Sequence, residues 1–259
     1  MTVPVLVATS EVPVDQLAAR KDVLVLGPSL GTTAQTWDGA LAELLQQHAV
    51  VRFDLPGHGK SPVATASFTL AELAEGVVNM MDALGVKTFD YAGVSVSGAL
   101  SLELALRFPE RVTHIIPICT GAKLGEADVW NERAEVVRRE GTVVMVAVQE
   151  ERWFSPDFRE DEREAVQTVL DQIAAADDDS YGYLCEAIGQ FDARGFLADI
   201  TVPTMVISGE LDPATPPAAG AAIANGIPGA TQQIVPGAFH QAVVEHPLVV
   251  ARMINAFLA

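Results

Sequence analysis

Short apolar runs alternate along this chain with longer stretches of helical period, and that alternation constrains the fold more than any other feature. The runs at residues 23–26, 50–54, 89–92 and 112–119 read as buried strands. Between them, residues 37–46, 69–84 and 99–108 read as crossover helices. The stretch opened by Thr69 is the clearest, with Leu70, Leu73, Val77, Met80, Met81 and Leu84 forming one apolar stripe at spacings of three and four. With 259 residues, 49% of them hydrophobic, the chain can bury a core on both faces of a sheet. The expected class is α/β, with a mostly parallel central sheet flanked by helices.

From residue 121 to 192 the pattern changes: strands become scarce and charge rises. Helices are expected at 130–140, 143–151, 160–176 and 180–190, with Asp177, Asp178 and Asp179 as a solvated acidic loop. Alternation then resumes, with strands at 205–208 and 233–235 and helices at 217–225 and 247–257. The division expected is a core of residues 1–120 and 193–259 carrying a helical cap, residues 121–192, as one continuous globular unit.

Sixteen Lys and Arg against 34 Asp and Glu give a net charge of −18, a field that repels nucleic acid and anionic membrane surfaces. Neither is an expected partner, and a small anionic substrate needs cations placed inside its pocket. The two cysteines, Cys119 and Cys185, are too few for a disulfide framework and lack zinc-site spacing, so no metal is expected. No run reaches the roughly 18 apolar residues of a membrane span, and the N-terminus lacks a leader pattern. Together with two buried, reduced cysteines, this points to the cytoplasm.

The chemistry concentrates at Gly93-Val-Ser-Val-Ser97, where a serine sits between a strand-like and a helix-like segment. A sharp turn there pushes the Ser95 hydroxyl out of the sheet, and the residues two before and two after it must be small because backbone passes close. Gly93 satisfies this; Ser97 replaces the second glycine of the pattern. Asp212 follows the 205–208 strand and His240 follows the 233–235 strand, giving the chain order Ser, Asp, His. Each lies just past a strand's carboxyl end, where open α/β sheets collect their sites. His240 suits the general base and Asp212 the anion that orients it, with Glu210 as a rival anion two residues earlier.

Developing negative charge on the substrate needs two preorganised N–H donors. Val96, after the serine, and Leu30, in the Gly27-Pro-Ser-Leu-Gly31 loop, are the expected pair. His48, His114 and His246 are better explained by packing or surface. His58 lies in Leu55-Pro-Gly-His-Gly-Lys-Ser61, a loop without P-loop spacing that reads as a buttress of the site.

On these residues the chain resembles the α/β-hydrolase superfamily over essentially its whole length. Within it the chain looks most like the 3-oxoadipate enol-lactonases of aromatic-compound catabolism, in the beta-ketoadipate pathway. The closer match is carried by Ser29-Leu-Gly-Thr-Thr33 with Trp37 and Asp38, residues 54–61, Thr120 to Gly125, Trp130-Asn-Glu-Arg133, Glu151-Arg-Trp-Phe154 and Asp212 to Pro217. The resemblance implies a helical cap inserted after the sixth strand and a cofactor-free reaction in which Ser95 opens a carboxylate-bearing enol-lactone through an acyl-enzyme. It also implies a cap cation for the substrate carboxylate, Arg133 first and Lys123 second, with Trp130, Trp153 and Phe154 walling the pocket. Besides Ser97, Gln241 after the histidine and the short, polar 7–22 segment depart from the family pattern. A carboxylesterase, a carbon–carbon bond hydrolase or a cofactor-free haloperoxidase shares the scaffold, and a noncatalytic binding protein is the alternative of another class. A homo-oligomer is compatible with all of these.

Overall fold

The structure, a computed structural model, describes residues 2–259. Its first half runs β1 (Ala8–Ser10), α1 (Val14–Leu17), β2 (Val23–Gly27), α2 (Asp38–Leu44), β3 (Ala49–Phe53), α3 (Leu70–Ala83), β4 (Phe89–Val94), α4 (Val96–Arg107) and β5 (Val112–Ile118). Five helices follow without a strand: α5 (Ala127–Glu140), α6 (Val146–Trp153), α7 (Pro156–Asp161), α8 (Arg163–Ala175) and α9 (Asp178–Gln190). The chain then closes through β6 (Met205–Gly209), α10 (Pro217–Gly226), β7 (Thr231–Val235), α11 (Ala242–Glu245) and α12 (Pro247–Leu258).

The strands form one sheet in the order β1-β3-β2-β4-β5-β6-β7, parallel except where β1 runs antiparallel to β3. Strand β2 shows why both faces are covered. Val23 and Val25 enter one apolar cluster, with Leu73, Val77 and Met81 of α3 and Leu100 and Leu104 of α4. Leu24 and Leu26, alternating with them, enter the opposite cluster with Trp37, Leu44 of α2 and Val250 and Ile254 of α12. Helix α3 starts on a reciprocal cap: the Thr69 hydroxyl accepts from the Glu72 N–H at 3.2 Å, and the Glu72 carboxylate accepts from the Thr69 N–H at 2.8 Å.

The strand order reverses between β2 and β4, and Gly27 at the end of β2 lies in register with Gly93 of β4. The loops leaving these two strands are therefore neighbours at the switch point, the crevice where open parallel sheets bind ligands.

Three expectations are corrected. The helical insertion follows the fifth of seven strands, not the sixth, because the N-terminal segment contributes only the three-residue β1 to the sheet edge. The acidic run at Asp177 is no free loop: Asp177 caps α9, its Oδ1 accepting from the Ser180 N–H at 2.8 Å, and Asp178 and Asp179 occupy the first turn. Carboxylates there complement the positive end of the helix dipole. The helix expected at 160–176 is two helices, α7 and α8, broken at Glu162. Among the described residues, no helix is long and apolar enough to cross a membrane.

Candidate active site

Ser95 joins β4 to α4 with φ 57° and ψ −114°, a conformation L-residues avoid, costing on the order of 1–3 kcal/mol. Neighbouring strands hold it there. Its N–H donates to the Ile118 carbonyl at 2.9 Å, and its carbonyl accepts from the Thr120 hydroxyl at 2.8 Å. The turn leaves no room for a side chain at Gly93, where a Cβ would lie 2.3 Å from the Ser97 carbonyl oxygen. Ser97 itself is fully buried, and its hydroxyl donates to the Pro28 carbonyl at 2.6 Å.

Asp212 sits in the loop after β6, where its Oδ1 accepts the N–H groups of Ala214 at 2.8 Å and Thr215 at 3.0 Å. Its Oδ2 faces His240 Nδ1 at 2.8 Å. Burial pushes the Asp212 carboxyl up, but His240 and the Thr215 donors outweigh it and hold the group below the usual aspartate range. Glu210 does not compete for this place, since its carboxylate accepts the Gly237 N–H at 2.8 Å. His240 is buried, and the Trp153 ring lies 6.2 Å from its ring centroid. Gln241 is fully buried and ties the histidine loop to α6, its N–H donating to the Trp153 carbonyl at 3.1 Å.

The loop after β2 is clamped by four side chains from three other segments. Trp37 Nε1 donates to the Gly27 carbonyl at 3.1 Å, and His58 Nε2 accepts the Gly31 N–H at 3.1 Å. Gln172 of α8 accepts the Thr33 N–H at 2.8 Å, and Asp54 accepts the Ala34 N–H at 2.7 Å. His58 Nδ1 donates in turn to the Pro56 carbonyl at 2.8 Å, and burial holds the ring below the ordinary histidine range, in its neutral form. Among the described residues, the Leu30 and Val96 N–H groups donate to no protein acceptor. Val96 opens α4, so its N–H is also one of the orphan donors at the positive end of that helix.

Ser95, His240, Leu30 and the loop from Ala214 to Pro216 with Ala219 line one side of a cavity of 410 Å³, and residues of the helical insertion line the other. Arg133 of α5 lies on this wall with its guanidinium 4.5 Å from the Trp130 ring centroid, and it makes no ion pair among the described residues. Lys123 also lines the cavity, but its ammonium is paired with Glu126 at 2.5 Å. Trp130 is fixed by an indole N–H bond to the Leu124 carbonyl, and Trp153 lines the cavity beside His240, while Phe154 is buried behind it against Phe158.

Sequence reasoning did not single out Thr215, Gln149, Gln172 or Tyr181. Thr215 had a local signal, since an aspartate two and three residues before free N–H groups is a turn former. The others act across the chain: Tyr181 of α9 stacks on His58 at 6.3 Å, and Gln149 of α6 and Arg133 lie beside its buried phenol. Of the remaining histidines, His48 bonds Asn255 at 3.1 Å and His114 bonds Asp90 at 2.8 Å, and His246 stands at the N-cap position of α12 without a side-chain capping bond. Both cysteines are unpaired and buried, and burial pushes the Cys185 thiol up to about 12. Among the described residues no group of three His, Cys, Asp or Glu side chains is placed to hold a metal ion.

Comparison with known proteins agrees with this architecture. Residues 22–139 match the family model of the α/β-hydrolase fold, and residues 184–259 match a TAP-like protein model. The chain is 32% identical to the 3-oxoadipate enol-lactonase 2 of Acinetobacter baylyi over 88% of its length and 85% of that protein. It is 34% identical to the 3-oxoadipate enol-lactonase 1 of the same organism, over 74% of its length and 72% of that protein. The crystal structure of the enol-lactonase from Burkholderia xenovorans superposes with a TM-score of 0.93 at 30% identity, covering 98% of this chain and 96% of that one. The chain belongs to the α/β-hydrolase family and is a hydrolytic enzyme similar to the 3-oxoadipate enol-lactonases.

Proposed function

We propose that the enzyme opens a carboxylate-bearing enol-lactone, 3-oxoadipate enol-lactone, to 3-oxoadipate through a Ser-His-Asp triad and an acyl-enzyme. The Ser95 oxygen attacks the lactone carbonyl while His240 takes its proton, and Asp212 holds the imidazole in the tautomer that can accept it. The Leu30 and Val96 N–H groups receive the developing oxyanion. As the ring opens, His240 returns the proton to the leaving enolate; it then activates the water that frees the open dicarboxylate. Residues 121–192 act as a cap over the core of residues 1–120 and 193–259 and supply the substrate's anchor.

The observation that carries the substrate is Arg133. In a chain of net charge −18, an arginine facing the same cavity as Ser95 and His240 without a carboxylate of its own is a ready partner for the ligand's. Trp130 stacks on the guanidinium and the buried Tyr181 phenol lies beside it, so the cation is held against the cavity wall. Lys123 lines the same cavity but is held by Glu126, and Trp153 walls the pocket beside His240.

Loss of the lactone's ultraviolet absorbance tests this with purified protein. Turnover is expected in the wild type and none in Ser95→Ala. Arg133→Ala is expected to raise KM about tenfold or more, with turnover of small neutral esters unchanged, since one charge-assisted bond is worth about 1.5–3 kcal/mol. Turnover of neutral esters without the lactone would keep the triad and sink the substrate.

A further inference from the structure

We infer that Ser97 is a positioning residue for the oxyanion hole: its hydroxyl holds the β2 loop in the conformation that presents the Leu30 N–H. This rests on the serine-hydrolase reading above. The elbow pattern asks only for a small residue at this place, and glycine meets that demand with no polar group to satisfy. A serine brings a hydroxyl into a fully buried site, where it needs a partner. It finds one outside its own helix, donating to the Pro28 carbonyl at 2.6 Å.

The opposite strand is built to receive it. A Cβ at Gly27 would lie 2.5 Å from the Tyr91 hydroxyl oxygen, 2.6 Å from the Ser97 Cβ and 2.7 Å from the Ser97 oxygen, so the bare backbone of Gly27 leaves the space that the serine and the Tyr91 phenol share. Gly27 and Gly93 are in register, which brings the first turn of α4 against the start of the loop. The loop's other clamps fall on either side, at Gly27 and at Gly31. From outside the loop, Ser97 alone among the described residues bonds residues 28–30. Pro28 has no N–H, so this carbonyl is its only backbone point of attachment, two residues before the Leu30 donor. An oxyanion donor works by being already in place, so a bond that fixes its loop acts on the transition state and not on substrate binding.

Ser97→Ala and Ser97→Gly test this, the second restoring the residue the elbow pattern prefers. Both are expected to lower kcat about tenfold with KM changed less than twofold, the fold-change of about one net hydrogen bond and milder than the 10²–10³ of losing a donor outright. Affinity for a boronic acid, which forms a tetrahedral adduct on the serine, is expected to fall by the same factor. Hydrogen exchange of the amides at residues 31–34 is expected to quicken about tenfold in both variants while the rest of the sheet is unchanged. Unchanged exchange at 31–34, or unchanged kcat in a wild type whose turnover depends on Ser95, overturns the inference. Activity persisting in Ser95→Ala sinks the serine-hydrolase reading instead, and the exchange measurement still decides the contact.

Discussion

Thr215 donates its hydroxyl to Oδ2 of Asp212 at 2.6 Å, the same oxygen that faces His240 Nδ1 at 2.8 Å. A second donor on that oxygen fixes the carboxylate's rotation, so the imidazole meets an anion that cannot turn away. Thr215→Val keeps the shape and removes the donor. It is expected to lower kcat about tenfold with KM within twofold, because hydrogen bonds to charged groups are worth about 1.5–3 kcal/mol and the backbone N–H groups on Oδ1 remain. Asp212→Asn, which breaks the tautomer control itself, is expected to cost on the order of 10³–10⁴ in kcat. Equal losses from the two variants in steady-state kinetics would contradict this division of labour.

Gly93 has no alternative at the elbow. A methyl group there meets the Ser97 carbonyl carbon and oxygen, which are backbone and cannot rotate away. Gly93→Ala is expected to destabilise the fold by about 2 kcal/mol or more and to abolish turnover, read by urea denaturation and kinetics together. A variant of wild-type stability would show that the turn is looser than its dihedral angles indicate.

His58 couples stability to pH. Folded, it is held neutral by burial; unfolded, it binds a proton below about pH 6.5. The unfolded chain therefore binds more protons as pH falls from 7 to 5, and stability drops across that window. His48, also lowered by burial, adds to the same slope. His58→Gln keeps an acceptor for Gly31 and is expected to be visibly less pH-sensitive in urea denaturation at pH 7 and 5. Asp212 acts in a separate window: its contribution is complete above about pH 4 and is lost as pH falls through its lowered folded value. An unaltered slope between pH 7 and 5 in His58→Gln would assign the effect elsewhere.

Gln172 joins the helical insertion to the loop after β2, its Oε1 accepting both the N–H and the hydroxyl of Thr33. Gln172→Leu leaves those two donors without that partner and is expected to lower kcat several-fold while the melting temperature moves by only a few degrees. A rise in KM alone, with kcat unchanged, would show that the contact acts on substrate binding instead.

The strands β2 to β6 were legible because they are short, mostly buried apolar runs, and the elbow because its small residues answer to a steric demand. Strand β1 was not, since Ala8, Thr9 and Ser10 carry no apolar alternation and pair only through backbone with β3. Helix α4 begins three residues before its expected start because Val96 and Ser97 read as strand and turn; the tight turn at Ser95 overrides that propensity. The polar contacts that finish the site, Gln172 to Thr33 and Tyr181 to His58, join residues more than a hundred apart and leave no local trace. Asp177 and its neighbours misled for a related reason: acidic side chains look alike whether they are solvated or capping a helix.

Mass spectrometry after exposure to a fluorophosphonate tests whether Ser95 is the nucleophile and His240 the base that activates it. One phosphonyl group is expected on the peptide containing Ser95, formed quickly in the wild type, far more slowly in His240→Ala and never in Ser95→Ala. Folded wild-type protein that stays unlabelled, or label carried by another residue, would contradict it.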